Sequence, residues 1–134
     1  MDWDPILETG NKRIDSQHKM LIGIYNDLVA ALRSGKGGDE ITKSVEFLAS
    51  YVYMHFMTEE ALQVITEYPD YPRHKTLHDE FKQAIADFVD RLNKEGPTDE
   101  FVASFTRAVD RWLINHVKGE DFRMAAFVKA TGSG

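Results

Sequence analysis

No cysteine occurs anywhere in the 134 residues. Disulfides, zinc knuckles, iron–sulfur ligation and a thiol nucleophile are therefore excluded. No apolar run approaches the roughly 20 residues that a membrane-spanning helix needs. The first residues, Met1-Asp2-Trp3-Asp4-Pro5, have neither the basic nor the apolar region of a secretory signal. These absences fit a cytoplasmic protein with no membrane partner. Basic residues are in the minority, 16 against 22 acidic for a net charge of −6, and they are scattered. A nucleic-acid partner would need a basic face, so none is expected. The length suits a single domain over residues 1–134, large enough to bury a core without covalent staples.

Helix breakers divide the chain at Gly35-Lys36-Gly37-Gly38, Tyr68-Pro69-Asp70-Tyr71-Pro72 and Gly96-Pro97-Thr98. The segments between them carry end signals. Asp15 or Ser16 can cap the first helix, with Gly35 closing it, and Asp39 can cap the second. Pro72 suits the first turn of the third and Gly96 its C-terminal end. Thr98 can cap the fourth.

Each segment has one seam of residues spaced three or four apart. The first seam is His18, Leu21, Tyr25, Leu28, Leu32. The second is Ile41, Val45, Leu48, Val52, His55, Glu59, Leu62. The third is His74, His78, Phe81, Ile85, Phe88, Leu92, and the fourth is Val102, Phe105, Val109, Trp112, His116. This is the inward stripe of bundled helices, and short links make neighbours antiparallel. The expected fold is all-α, an up-down-up-down four-helix bundle. An extended N-terminal arm precedes it and a short C-terminal helix follows.

Each seam is polar at one end only. In the antiparallel arrangement His18, His55, Glu59, His74, His78 and His116 all reach the same end of the bundle. Imidazoles and a carboxylate placed in an apolar core need partners, and they cannot all satisfy one another. A metal ion resolves this, because each imidazole then gives it a lone pair. His55/Glu59 and His74/His78 are i, i+4 pairs and lie on one helix face. Asp121 needs a separate argument, since five residues along an α-helix turn it about 140° away from His116. Gly119 can end the fourth helix in a left-handed cap and let the chain fold back, carrying Asp121 inward. Five histidines and two carboxylates are too many ligands for one ion and suit two bridged ions. Such a set favours iron, with zinc, copper or manganese also compatible.

The segments Ile14-Asp15-Ser16-Gln17-His18-Lys19, His55-Phe56-Met57-Thr58-Glu59-Glu60, His74-Lys75-Thr76-Leu77-His78-Asp79-Glu80-Phe81 and Trp112-Leu113-Ile114-Asn115-His116 leading to Asp121 resemble the signature of the hemerythrin family, its bacterial members in particular. The likeness runs from Trp3 to about Val128. It implies two iron ions with an oxo or hydroxo bridge. His74, His78 and His116 would hold one, His18 and His55 the other, and Glu59 and Asp121 would bridge them. It further implies reversible dioxygen binding at the second iron, in a dry pocket walled by Leu113 with Trp112 beside it.

Simpler readings exist for single residues. A lone histidine on a seam is ordinarily a hydrogen-bonded core residue. Glu59 can face solvent at a helix fringe, and Asp121 can be a surface turn residue. Glu60, Asp79, Glu80 and Glu120 read as solvated. The segment from Asp121 to Lys129 is a short packed helix or a partner surface. Three functions compete: an oxygen carrier, store or sensor that is not an enzyme; a di-iron redox enzyme (peroxidase, ferroxidase or nitric-oxide-processing); and the sensory domain of a larger chemotaxis or signalling protein. The Glu-x-x-His motif of carboxylate-rich di-iron bundles is missing, since Asp15, Val52, Tyr71, Lys75 and Leu113 stand three before the histidines. That favours the first. The expected assembly is a monomer or weak oligomer, free or docked to a signalling protein.

Overall fold

Four long helices account for most of the chain: α1 (Lys12–Arg33), α2 (Gly38–Ile65), α3 (Tyr71–Glu95) and α4 (Asp99–Asn115). The computed structural model describes residues 2–35 and 38–132, and these are helical with no strand among them. Lys36 and Gly37 of the first breaker, and Ser133 and Gly134 at the end of the chain, lie outside the described residues. α1 packs on α2, α2 on α3, α3 on α4, and α4 back on α1. The ring closes as an antiparallel four-helix bundle. A 3-10 turn at Pro5–Leu7 interrupts the N-terminal arm. α4 runs on through a π-helical segment, His116–Asp121, into α5 (Phe122–Ala130).

The seams face inward. Leu21, Tyr25, Leu28, Leu32, Ile41, Val45, Leu48, Val52, Phe81, Ile85, Leu92, Phe105 and Val109 form one buried cluster. The fourth helix is rotated slightly from its expected phase. Phe101 and Leu113 are fully buried, while Val102 and Trp112 are half-buried. Leu62 and Phe88 are half-buried as well.

The ends of α1 and α2 differ from expectation for local reasons. Asn11, not Asp15 or Ser16, caps α1: its Oδ1 accepts a hydrogen bond from the Ile14 N–H at 3.1 Å. Asp15 sits one turn inside, where its carboxylate accepts from the Thr9 N–H and hydroxyl, both at 2.8 Å, and from the Gly10 N–H at 3.2 Å. It ties the N-terminal arm to α1. Asp39 lies within the first turn of α2, where its charge favours the positive helix end without capping it. Gly35 follows the last turn of α1 at φ 72°, as a left-handed closing residue should. α2 closes the same way on a non-glycine. Glu67 has φ 58°, and the Tyr68 N–H reaches back to the Gln63 carbonyl at 2.9 Å.

Pro72 lies in the first turn of α3, and Gly96 closes it at φ 77°. Thr98 caps α4, accepting from the Phe101 N–H at 3.1 Å. That bond holds the start of α4 where Phe101 enters the core. Thr98→Ala should lower unfolding stability by about 1 kcal/mol, read as a lower urea midpoint at unchanged slope. Thr98→Ser should restore most of it.

Candidate metal centre

His18, His55, Glu59, His74, His78, His116 and Asp121 are all buried and meet at one end of the bundle. α1, α2, α3 and the π-helical segment that continues α4 contribute. His55 and Glu59 stand one turn apart on α2, and His74 and His78 one turn apart on α3. His18 comes from the second turn of α1.

The π-helical segment places Asp121. Gly119 is not left-handed, and the helix neither ends nor folds back there, contrary to the sequence expectation. The backbone widens instead: the Phe122 N–H reaches the Val117 carbonyl, five residues earlier. In such a turn residues five apart come onto one face, and π turns of this kind are characteristic of functional sites. His116 Nε2 and Asp121 Oδ1 are thereby brought within 3.0 Å.

Each carboxylate divides its two oxygens between two sets of imidazoles. Glu59 Oε1 faces His74 Nε2 at 3.2 Å and His78 Nε2 at 3.1 Å. Its Oε2 faces His55 Nε2 at 3.0 Å and His18 Nε2 at 3.5 Å. Asp121 Oδ1 faces His116, and also His74 at 3.2 Å, while Oδ2 faces His18 at 3.0 Å. Two donor groups result, Glu59-His74-His78-His116-Asp121 and His18-His55-Glu59-Asp121, each with its donor atoms within 4.8 Å of one another.

One of these contacts, His74 Nε2 with Glu59 Oε1, has hydrogen-bond geometry. Both nitrogens of His18, Glu59 Oε2 and both oxygens of Asp121 are nevertheless buried without a hydrogen-bond partner. His78 Nε2 and His116 Nε2 point at each other across 3.1 Å. Buried polar atoms left in this way are costly in proportion to their desolvation. The donors converge on points between the side chains. The cluster is suited to holding a metal ion, and its imidazole–carboxylate chemistry is that of transition-metal sites.

A surrounding layer fixes the rings. Gln17 Oε1 lies 2.7 Å from His55 Nδ1, and Glu60 Oε2 lies 2.8 Å from His78 Nδ1. Such contacts set ring orientation and strengthen the other nitrogen as a ligand. Phe56 stacks on His78 at 3.7 Å, and Trp112 stacks on His116 at 4.2 Å and on Phe81 at 3.9 Å. Trp112 thus lies on the His116 side, away from the pocket where it was expected. Leu113 does line a small cavity, together with Leu7, His18, Leu21, Ile22, Ile114 and Val117. The cavity leaves about 10 Å³ for the centre of a water-sized molecule, roughly the room one such molecule needs.

Glu60 and Glu120 are not the solvated residues the sequence suggested. Glu120 is buried and clamped by Arg73 at 2.8 Å and by Arg123 at 2.5 Å, which braces the π-helical turn. Asp79 and Glu80 are exposed, as expected. Gln17 and Glu60 carry no distinguishing spacing, since each sits beside a seam residue and reaches the site across a helix interface. Met124 and Val128 of α5 are fully buried against Ile14 and Tyr68, so this segment is packed helix.

Protons occupy the cluster when no cation does. Burial lowers the affinity of His18 for a proton, but the Asp121 and Glu59 carboxylates outweigh it and raise its pKa to about 10. His74 is raised to about 9 against the same burial by the same two carboxylates. Burial alone would raise Glu59 and Asp121. The facing histidines win and hold both well below the usual carboxylate range. The raised histidines stabilise the metal-free fold fully below their ordinary value of 6.5, and that contribution is lost as pH rises through about 9 to 10. The depressed carboxylates stabilise it above their ordinary values of 4.5 and 3.8, and that is lost on acidification. Thermal melts of metal-free protein should therefore peak between pH 4.5 and 6.5 and decline toward pH 10. A flat profile over that alkaline range would contradict the coupling.

Comparison with known proteins agrees with this geometry. The family model described as the hemerythrin HHE cation binding domain matches residues 9–128. A bacteriohemerythrin of Pseudomonas aeruginosa is 32% identical over 120 residues, covering 89% of this chain and 75% of its own. A hemerythrin-like protein of Naegleria gruberi is 31% identical over 122 residues, covering 91% and 88%. A bacteriohemerythrin of Methylococcus capsulatus is 33% identical over 107 residues, covering 80% and 79%.

Proposed function

The chain belongs to the hemerythrin family, and on that premise we propose that it binds dioxygen reversibly at a pair of iron ions and is not an enzyme. His74, His78 and His116 would hold one ion and His18 and His55 the other, with Glu59 and Asp121 shared between them. The whole chain acts as one such domain. The observation that carries this reading is the division of each carboxylate's oxygens between a three-histidine group and a two-histidine group. When bound, an iron pair would supply the electrons that reversible dioxygen binding requires.

The chain's own residues do the rest. The two-histidine side has one imidazole fewer, so it leaves room for a small ligand, and the cavity beside His18 lies on that side. Apart from His18, its walls are aliphatic: Leu7, Leu21, Ile22, Leu113, Ile114 and Val117. They supply no proton donor. A ligand held there is neither protonated nor displaced, which is what reversibility demands. Gln17 and Glu60 hold His55 and His78 in place as the charge of the centre changes. No helix among the described residues is long and apolar enough to cross a membrane.

The test is a visible spectrum of iron-loaded protein, reduced without air, then aerated, then degassed. A band that appears with air and disappears on degassing, through repeated cycles, is the expected result. A band that persists until a reductant is added would move the protein to the redox-enzyme or redox-sensor class. His78→Ala should lower iron bound per chain from two toward one or none while helical content is kept. Two irons retained would refute the ligand assignment.

A further inference from the structure

α2 carries a second stripe on the surface of the bundle, touched from α1 at Met54, whose Sδ accepts from Gln17 Nε2 at 3.7 Å. Its inner face, Ile41 to Glu59, is buried. On the opposite side, Phe47, Ser50, Met54, Met57, Ala61 and Val64 repeat at steps of 3, 4, 3, 4 and 3. All six are exposed, with Phe47 at 59%, Met57 at 69% and Val64 at 56%, and Ile65 beside them at 77%. An apolar heptad stripe facing water is the signature of helix-to-helix pairing. It forms one wall of a surface groove whose other wall is Gly10–Arg13 at the start of α1.

From this stripe we infer that the outer face of α2 is a self-association surface, on which two copies of the chain pair antiparallel about a two-fold axis. The spacing is the same read in either direction, so the stripe maps onto itself. Phe47 then lies level with Val64 of the other copy, Ser50 with Ala61, and Met54 with Met57. The bulky pair sits at each end, the small Ser50–Ala61 pairs let the helices approach, and two flexible methionines fill the middle. A closed pair related by a two-fold axis uses the same patch on both copies, as this arrangement does.

Charge selects the antiparallel sense. The Ile65 end of the groove is basic, with exposed Lys12 and Arg13. The other end of α2 is mostly acidic, with Asp39, Glu40 and Glu46. Antiparallel pairing sets each basic end against the acidic end of the other copy. Parallel pairing would put like ends together, and opposed helix dipoles favour the antiparallel sense further.

Analytical ultracentrifugation of the metal-loaded chain over a wide concentration range tests this. A monomer–dimer equilibrium is expected. Met57→Glu should weaken it by at least about tenfold, because each dimer then receives two carboxylates in an apolar seam, with helical content and melting temperature retained. The native absence of cysteine allows a test of geometry. Under mild oxidation, Ser50→Cys mixed with Ala61→Cys should cross-link in high yield, and Ser50→Cys alone should not. A chain that stays monomeric at all concentrations overturns the inference, as would capture of a different protein by that monomer. A dimer untouched by Met57→Glu, or cross-linking of Ser50→Cys with itself, overturns it equally.

Discussion

Seven ionisable side chains occupy one end of an otherwise apolar core, and the rest of the bundle is arranged around the difficulty of keeping them there. Donor atoms of five histidines and two carboxylates stand within 4.8 Å of one another in two overlapping groups. Water is excluded, so their charges must be balanced locally. Without a cation His18 and His74 are pushed toward the protonated form by the two carboxylates, which are themselves pushed toward the ionised form. Protons are a poor substitute, because several donor atoms still lack a hydrogen-bonding direction to any neighbour. A cation at the convergence points satisfies them together, and its uptake must release the protons they hold.

Such a site demands precision, and the helices supply it in different ways. α2 and α3 each bring two ligands on one face through the ordinary i, i+4 relation. α4 cannot do this with His116 and Asp121, which are five apart. Widening one turn to π geometry solves the problem inside a continuous helix, and the Arg73–Glu120–Arg123 clamp holds that turn against α3. Stacking of Phe56 on His78 and Trp112 on His116 removes the remaining freedom of two rings. The apolar core below the site is thus continuous with the support of its ligands.

The inward seams and the convergence of the six seam ligands were legible in the sequence, because period and antiparallel order together decide which residues share an end. Asp121 was legible as a member of the cluster but not in its route. A glycine two residues before it suggests a break, and only hydrogen-bond geometry distinguishes a break from a widened turn. The cap of α1 was misplaced because Asn11 and Asp15 are both good caps. What separates them is the fold of the arm, where Thr9 and Gly10 claim Asp15. Gln17 and Glu60 were not legible as site residues. Their partners lie on other helices, and each is overshadowed by a ligand next to it in sequence. The outer stripe of α2 was legible by the same period as the inner one, but a seam search that stops at the first inward face passes over it.

The two halves of the site differ in a way that bears on what it can bind. The three-histidine half is packed by aromatic rings: Phe56 stacks on His78, and Trp112 stacks on His116 and on Phe81. Its outer side, at Trp112 and His116, borders a wider surface hollow lined also by Arg73, Leu77 and Glu120. The two-histidine half is bounded by branched aliphatic side chains and by the N-terminal arm, which brings Leu7 against Ile22 and Val117. Branched chains meeting from three directions cannot fill the corner completely, and the small cavity beside His18 is what remains. It has room for about one water-sized molecule. Its walls offer such a guest dispersion contacts and no hydrogen bond. Asp15, by anchoring the arm to α1 through Thr9 and Gly10, holds the Leu7 wall in place. A residue whose role is local capping by sequence rules therefore acts, through the arm, on the shape of the space in which the ligand would sit.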